Sequence, residues 1–147
     1  MIDPLVRAAA AADATQLELL ELEARATLVD QRGGLRWLDT HPSRAGEWDR
    51  AIAAGGVLVA HIDDVVVGYL VASVDGTIVR VDEVYVTPGA RELGFGDGLV
   101  AAAVELGRAA GCDMIEGEAL PGDRDTKNLY ERAGITARLI TVSRRLV

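Results

Sequence analysis

The sequence predicts a single mixed α/β (α+β) domain with a central, mostly antiparallel sheet, one parallel strand pair and helices on both faces. Three observations carry this expectation. The chain has 147 residues, 50% of them hydrophobic, which suits one core and is too apolar for a disordered tail. In its middle, runs rich in β-branched residues follow one another across short turns. Beyond them a helical pattern precedes another strand, and a strand reached through a helix can lie parallel to its predecessor by a right-handed crossover. No repeat and no Gly, Ser or Pro linker divides residues 1–147, and the only low-complexity tract is Ala8 to Ala12.

Leu5, Val6 and Arg7 suit a short first strand. Asp13 stands where a helix N-cap belongs, with Gln16 three residues on as its capping-box partner. The helix expected from about Ala14 to Val29 buries Leu17, Leu20 and Leu28. Asp30 to Gly46, with Gly33, Gly34, Trp37, His41 and Pro42, reads as a short helix between loops, and Trp48 to Ala54 as a further turn or two closed by Gly55 and Gly56. Val57 to Ile62 and Val65 to Val74 form a hairpin across Asp63 and Asp64. Asp75 and Gly76, the strongest two-residue turn signal, lead to a third strand, Thr77 to Val86. Pro88 and Gly89 break that strand, and helical spacing from Leu99 to Ala110 stops at Gly111. A strand at Met114 to Ala119, a helix at Asp125 to Ala133 ended by Gly134, and a closing strand at Ile135 to Val147 complete the chain.

A formal charge of -8 and a single lysine, Lys127, argue against a surface built for nucleic-acid phosphates or anionic lipid. The longest apolar run, Val65 to Val74, is about half of the roughly 20 residues of a spanning helix. Asp3, Arg7 and Asp13 interrupt the alanine-rich start, so no signal-peptide core is expected. Cys112 is the only cysteine, which excludes an internal disulfide and a multi-thiolate zinc site; a reducing cytoplasm is the expected compartment. His41 and His61 are too isolated for a metal site, and none is expected. Ser43 near His41 lacks the GxSxG turn of a hydrolase nucleophile. Cys112, just past the helix-ending glycine, reads as a packed thiol rather than a nucleophile.

The informative segment is VDEVYV (Val81 to Val86), TPGA and RELGFG (Arg91 to Gly96). Gly94 and Gly96 at a helix start let backbone N–H groups approach an anion closely, a means of holding pyrophosphate without lysines. The segment is neither a Walker A loop, lacking its Lys, nor a GxGxxG fingerprint, with Leu99 at the third glycine position. The alternative is a glycine-rich helix entry that binds nothing.

Arg-x-x-Gly-x-Gly directly after a strand carrying Glu and Tyr, followed by NLYERAGI (Asn128 to Ile135), resembles the acyl-CoA-binding core of the GNAT superfamily of N-acetyltransferases. The resemblance covers about Val57 to Val147 and implies that fold, with the parallel pair splayed apart and acetyl-CoA in the gap. It places the cofactor along Val84, Tyr85 and Val86, with the backbone of Val84 and Val86 pairing with the pantetheine arm. It also places it along Arg91, Glu92, Leu93, Gly94, Phe95 and Gly96, whose amides wrap the pyrophosphate, and near Asn128. It implies Glu83 as the base facing a primary amine and Tyr130 as the acid near the thioester sulfur. The segment with Trp37, His41 and Trp48 would line the acceptor pocket.

An amine with a pKa near 10 must lose a proton before it attacks, a task for a carboxylate, directly or through water. The Val84 amide can stabilise the oxyanion, and a phenol can assist the departing thiolate. Asp82 and Glu83 are adjacent on a strand and so point to opposite faces unless a bulge intervenes; at most one is the base. Glu83 is otherwise a carboxylate paired with an arginine, and Tyr130 a core residue at a helix end.

Glu92, Leu93 and Asp97 depart from the glycine or basic residues frequent in the family, placing extra negative charge beside an anionic ligand. Asp123 replaces a frequent Asn, and Ile135 a Phe. The expected activity is acetyl transfer to a small-molecule or peptide amine. The rivals are an acyl-CoA sensor or inactive subunit and a purely structural domain. No nucleic-acid or membrane partner is expected, and the edge of the closing strand offers a route to a homodimer.

Overall fold

The computed structural model describes residues 5–147; residues 1–4, Asp3 included, lie outside them. Strands β1 (Leu5–Ala8), β2 (Val57–Ile62), β3 (Val65–Asp75), β4 (Ile78–Val86) and β5 (Met114–Gly117) form one sheet in chain order. Every pair is antiparallel except β4 with β5, which is parallel as the intervening helix requires. The helices are α1 (Ala14–Leu28), α2 (Gly34–Thr40), α3 (Trp48–Ala54), α4 (Phe95–Ala109) and α5 (Arg124–Arg132).

Alternation along the strands gives the sheet two apolar faces. Leu58, Ala60, Leu70, Ala72, Val79 and Val81 pack under α4 and α5 with Phe95, Leu99, Val100 and Leu129. Val57, Val59, Tyr69, Val71 and Tyr85 pack under α1 and α3 with Leu17, Leu20 and Trp48.

The alternation breaks once in β4, and that break matters for the chemistry. Ala72 lies opposite Val81 and Val71 opposite Glu83, which leaves Asp82 as the extra residue of a β-bulge. Val79 and Val81 face α4; past the bulge Val84 and Val86 take that face, and Glu83 and Tyr85 turn to the α1 side. An unbroken strand would have put Glu83 with Val81 under α4.

Several expectations are corrected. The Asp13 carboxylate does not cap α1: it accepts from the Ala10 N–H and from both Arg7 Nη atoms, tying the preceding turn to β1. Gln16 reaches the β2–β3 turn instead, accepting from Val66 N–H and donating to the Asp64 carbonyl. Leu28 stays half-buried. The β3–β4 turn sits one residue further on, with Asp75 opposite Ile78 and Gly76 in the left-handed region. Helix α4 begins at Phe95 rather than Leu99, because its first turn is glycine-rich and carries no long apolar stripe. The closing strand does not form: residues 136–147 are irregular and exposed, since their β-type sequence finds no strand partner among the described residues.

Candidate active site

The site grows out of the β4–β5 pair. Strand β4 stays paired with β3 to Val86, but its pairing with β5 ends where Val81 meets Gly117. From Asp82 to Val86 the β5 side of β4 is therefore open, because β5 itself ends at Gly117. The Val86 carbonyl lies on that side, where it accepts from Arg91 Nε at 2.9 Å. Val84, two residues earlier, presents its backbone in the same direction.

Beyond the opening the chain enters α4 through a loop of alternating hand. Glu92 (φ 67°) and Gly94 (φ 87°) are left-handed and Leu93 between them is not, a sequence that turns successive N–H groups toward one concavity. Gly94 is the N-cap and has no side chain to offer. The first intrahelical bond runs from Gly98 N–H to the Gly94 carbonyl, so the N–H groups of Phe95, Gly96 and Asp97 have no partner within the helix. Open N–H groups at a helix start are the arrangement that suits an anion, here offered by backbone alone.

The two loop glycines serve different ends. Gly94 is required by its φ, whereas a Cβ at Gly96 would come to 3.3 Å from Leu129, so Gly96 lets α5 close on α4. Phe95 is buried beneath the loop, and Leu93 is exposed. Of the two acidic departures, Asp97 is neutralised by Arg132 across to α5 at 2.9 Å, and Glu92 points into solvent. Arg91 stacks over the Tyr85 ring at 5.6 Å and reaches Asp125 at 3.3 Å.

Tyr130 and Glu83 flank the end of the strand pairing. The Tyr130 hydroxyl lies directly over Gly117, so close that a Cβ there would fall 2.6 Å from it. The glycine thus makes room for the phenol beside the opening. Burial foremost, then the charges of Asp123 and Glu118, pushes this phenol above its ordinary value, so it is held protonated as a donor. Asp123 itself is the N-cap of α5, accepting from Thr126 N–H at 3.0 Å, and Asn128 is exposed.

On the other face Glu83 is fully engaged. Its Oε2 accepts from Arg44 Nη1 at 2.7 Å and its Oε1 from the Tyr69 hydroxyl. Arg44 also lies 3.8 Å from the buried Glu21 carboxylate, which takes the Arg44 backbone N–H and the Ser43 hydroxyl. The guanidinium rests 5.7 Å from the Trp48 ring, and Trp48 meets Tyr69 edge-on. Trp48 Nε1 is buried and has no hydrogen-bond partner among the described residues. Burial, with the Glu83 carboxylate behind it, pushes the Tyr69 phenol far above its ordinary value. Tyr85 is pushed up to about 12 by burial and by its bond to Glu23, which also takes Thr87.

Sequence reasoning missed Glu21, Arg44 and Tyr69. Only Glu21 left a signal, an acidic residue on the apolar side of α1, one position from Leu20 and four from Leu17. Ser43 is bound to Glu21 rather than His41, whose ring stacks on Trp37 at 4.1 Å. Cys112 is half-buried against the α4 core, a packed thiol. No group of metal-binding side chains occurs among the described residues.

A mixed sheet whose parallel pair is open beyond Gly117, a helix start with open N–H groups, and a carboxylate and a phenol beside that opening give the layout of an acyl-transfer fold. The chain belongs to the acetyltransferase (GNAT) family, whose model matches residues 17–135, and with it to the acyltransferases. Solved structures with this fold include aminoglycoside N-acetyltransferase AAC(6')-Iy in complex with a CoA bisubstrate analogue, 19% identical over 98% of this chain and 99% of that one, with a TM-score of 0.71. A tetramutant of the BH1408 protein from Bacillus halodurans is 21% identical over 97% and 99%, with a TM-score of 0.74. A ribosomal-protein-alanine N-acetyltransferase from Brucella melitensis is 16% identical over 99% of both chains, with a TM-score of 0.68. No curated protein matches the sequence. No helix among the described residues is long and apolar enough to cross a membrane.

Proposed function

We propose that the protein transfers an acetyl group from acetyl-CoA to a primary amine of a small molecule or peptide by direct attack on the thioester. The observation that carries this is the end of β4–β5 pairing at Val81 and Gly117, with the Tyr130 hydroxyl over Gly117 and the anion cradle of residues 91–97 beyond it. In this reading the pantetheine arm pairs with Val84 and Val86, displacing Arg91 from the Val86 carbonyl, and the pyrophosphate sits on the cradle. Gly94, Gly96 and Phe95 shape the loop, Leu93 and Glu92 contribute amides, and Tyr85 and Asn128 border the arm.

The amine nitrogen forms a bond to the thioester carbon as its proton passes, directly or through water, to Glu83. The C–S bond then breaks, and the sulfur leaves as a thiolate. A phenol held protonated above its ordinary value supports that thiolate by a hydrogen bond rather than by full proton transfer. The Val84 amide faces the oxyanion. For Glu83 to act, Arg44 must give up its Oε2, and an ammonium group is the natural competitor for that position.

Thiol release from acetyl-CoA over a panel of primary amines tests the reading, and turnover on one of them is expected. A second reading, an acyl-CoA sensor or inactive subunit, is favoured by the engagement of both Glu83 oxygens. It requires tight CoA binding with no turnover on any amine. The single thiol, Cys112, suits a reducing cytoplasm, and one domain acting as a homodimer completes the proposal.

A further inference from the structure

We propose that Arg44 is a charge latch on the acceptor site, swinging between Glu83 and Glu21 so that a protonated amine reaches the base while water and uncharged nucleophiles do not. The latch rests on the reading of Glu83 as that base. It gives a task to Glu21, a buried carboxylate that the transfer itself leaves unused.

The closed position is the one observed. Arg44 Nη1 holds Glu83 Oε2 at 2.7 Å, and the Tyr69 hydroxyl donates to Oε1. Tyr69 is fully buried, and its phenol, pushed far above its ordinary value, stays a donor. Oε2 is therefore the oxygen open to exchange. A neutral molecule taking the place of Arg44 would strand a carboxylate that is only 9% exposed, whereas an ammonium group replaces one cation by another. Charge, rather than size, decides what is admitted.

The open position is already built. Glu21 Oε2 lies 3.8 Å from the same Nη1, so the guanidinium has a second counter-ion a short swing away. Glu21 is 1% exposed on the apolar side of α1, where a carboxylate needs partners. Those partners also hold the backbone still. Glu21 accepts the Arg44 N–H at 2.9 Å and the Ser43 hydroxyl at 2.7 Å, Ser43 Oγ accepts the Ala45 N–H at 3.0 Å, and Glu18 accepts the Gly46 N–H. With residues 43–46 clamped to α1, the side chain moves alone beside the Trp48 ring, 5.7 Å from its guanidinium.

The consequence is a separation of transfer from hydrolysis. In hydrolysis the oxygen of water bonds to the thioester carbon and one of its protons passes to Glu83. The C–S bond breaks with its electron pair on sulfur, acetic acid and CoA thiolate leave, and the thiolate takes up the proton through solvent. Water cannot dislodge Arg44, so this route stays closed until an ammonium group opens it, and that group then occupies the base.

Thiol release from acetyl-CoA without any amine tests the closed position. Arg44→Gln should raise it at least about tenfold over the parent, and Arg44→Lys, which returns a cation to Oε2, should restore the low rate. Hydroxylamine, uncharged at neutral pH, should gain as a nucleophile in Arg44→Gln by a similar factor. Unchanged rates with both water and hydroxylamine overturn the latch. For the responsive amine of the panel, KM should fall about tenfold in Arg44→Gln and rise about tenfold in Glu21→Gln with kcat little changed. Shifts of the same sign overturn the swing, and Glu21→Asp serves where Glu21→Gln does not fold. Adding Glu83→Gln to Arg44→Gln should abolish the gained hydrolysis; its persistence overturns Glu83 as the base and the latch with it. A parent that turns over no amine overturns the transfer reading alone, because the water and hydroxylamine rates judge the latch without an acceptor.

Discussion

At the scale of single residues, the Glu83 carboxylate shows how a base can be placed and restrained together. It shares Arg44 with the buried Glu21, so two carboxylates lean on one guanidinium. Replacing Arg44 by Met leaves both buried without a cation, which should cost about 3–5 kcal/mol in urea unfolding. That deficit should shrink as pH is lowered toward 5, because the stranded carboxylates then take up protons. A pH-independent deficit would show that Arg44 acts by packing on Trp48 alone. Tyr130 calls for a different experiment. Tyr130→Phe should lower kcat on the responsive amine by about 100-fold or more while CoA affinity changes little. Gly117→Ala should reproduce that loss with the phenol intact, since a Cβ there displaces the hydroxyl. Equal kcat in all three proteins would remove Tyr130 from the chemistry.

At the scale of elements, strands and helices were legible where a local pattern decides them, and the site was legible only in part. The hairpin β2–β3, the meander into β4 and the crossover to β5 follow from β-branched runs and turn residues that need no distant partner. The bulge at Asp82 left a faint mark on the sequence, two successive polar residues that move the apolar positions from Val79 and Val81 to Val84 and Val86; only the register against β3 locates it. The network around Glu83 was hidden for the same reason, since Arg44 and Tyr69 lie 39 and 14 residues away. The last expected strand does not form because β propensity is a preference for a pleated, half-buried surface, and the described residues offer none to residues 136–147. The loop before α4 carries its own test. Glu92 is left-handed at φ 67°, a conformation costing a residue with a Cβ roughly 1–2 kcal/mol, and its exposed carboxylate adds negative charge to the loop that precedes α4. Glu92→Gly should relieve strain and repulsion together, so calorimetry should show tighter CoA binding; weaker binding would mean that the side chain orders the loop. The Asp13 clip can be titrated. Arg7 holds that carboxyl below its ordinary value of about 4, so the clip stabilises fully above that value and its contribution fades as pH falls through the lowered one. Asp13→Asn should therefore be less stable than the parent at pH 7, and the difference should close at strongly acid pH.

At the scale of the whole molecule, the net charge and the cofactor pull in opposite directions. A chain of formal charge -8 is proposed to bind a ligand rich in phosphate, and the cradle meets it with backbone N–H groups and the Arg91 side chain, Arg132 being paired with Asp97. Oriented amides act over hydrogen-bond distance and are little affected by salt, whereas the repulsion between the acidic surface and the arriving anion is long-ranged. The Debye length falls from about 30 Å at 0.01 M to about 10 Å at 0.1 M, so added salt removes the repulsion before it weakens the cradle. CoA affinity should therefore rise as sodium chloride increases from low concentration to about 0.1 M, the reverse of a lysine-lined phosphate site. A cationic amine experiences the same field with opposite sign, and its KM should rise over the same range. Calorimetry for CoA and steady-state kinetics for the amine measure the two slopes separately. CoA affinity that falls with salt would mean that Arg91, Arg124 or Lys127 carries the phosphates; parallel slopes for both ligands would mean that neither senses the protein's net field.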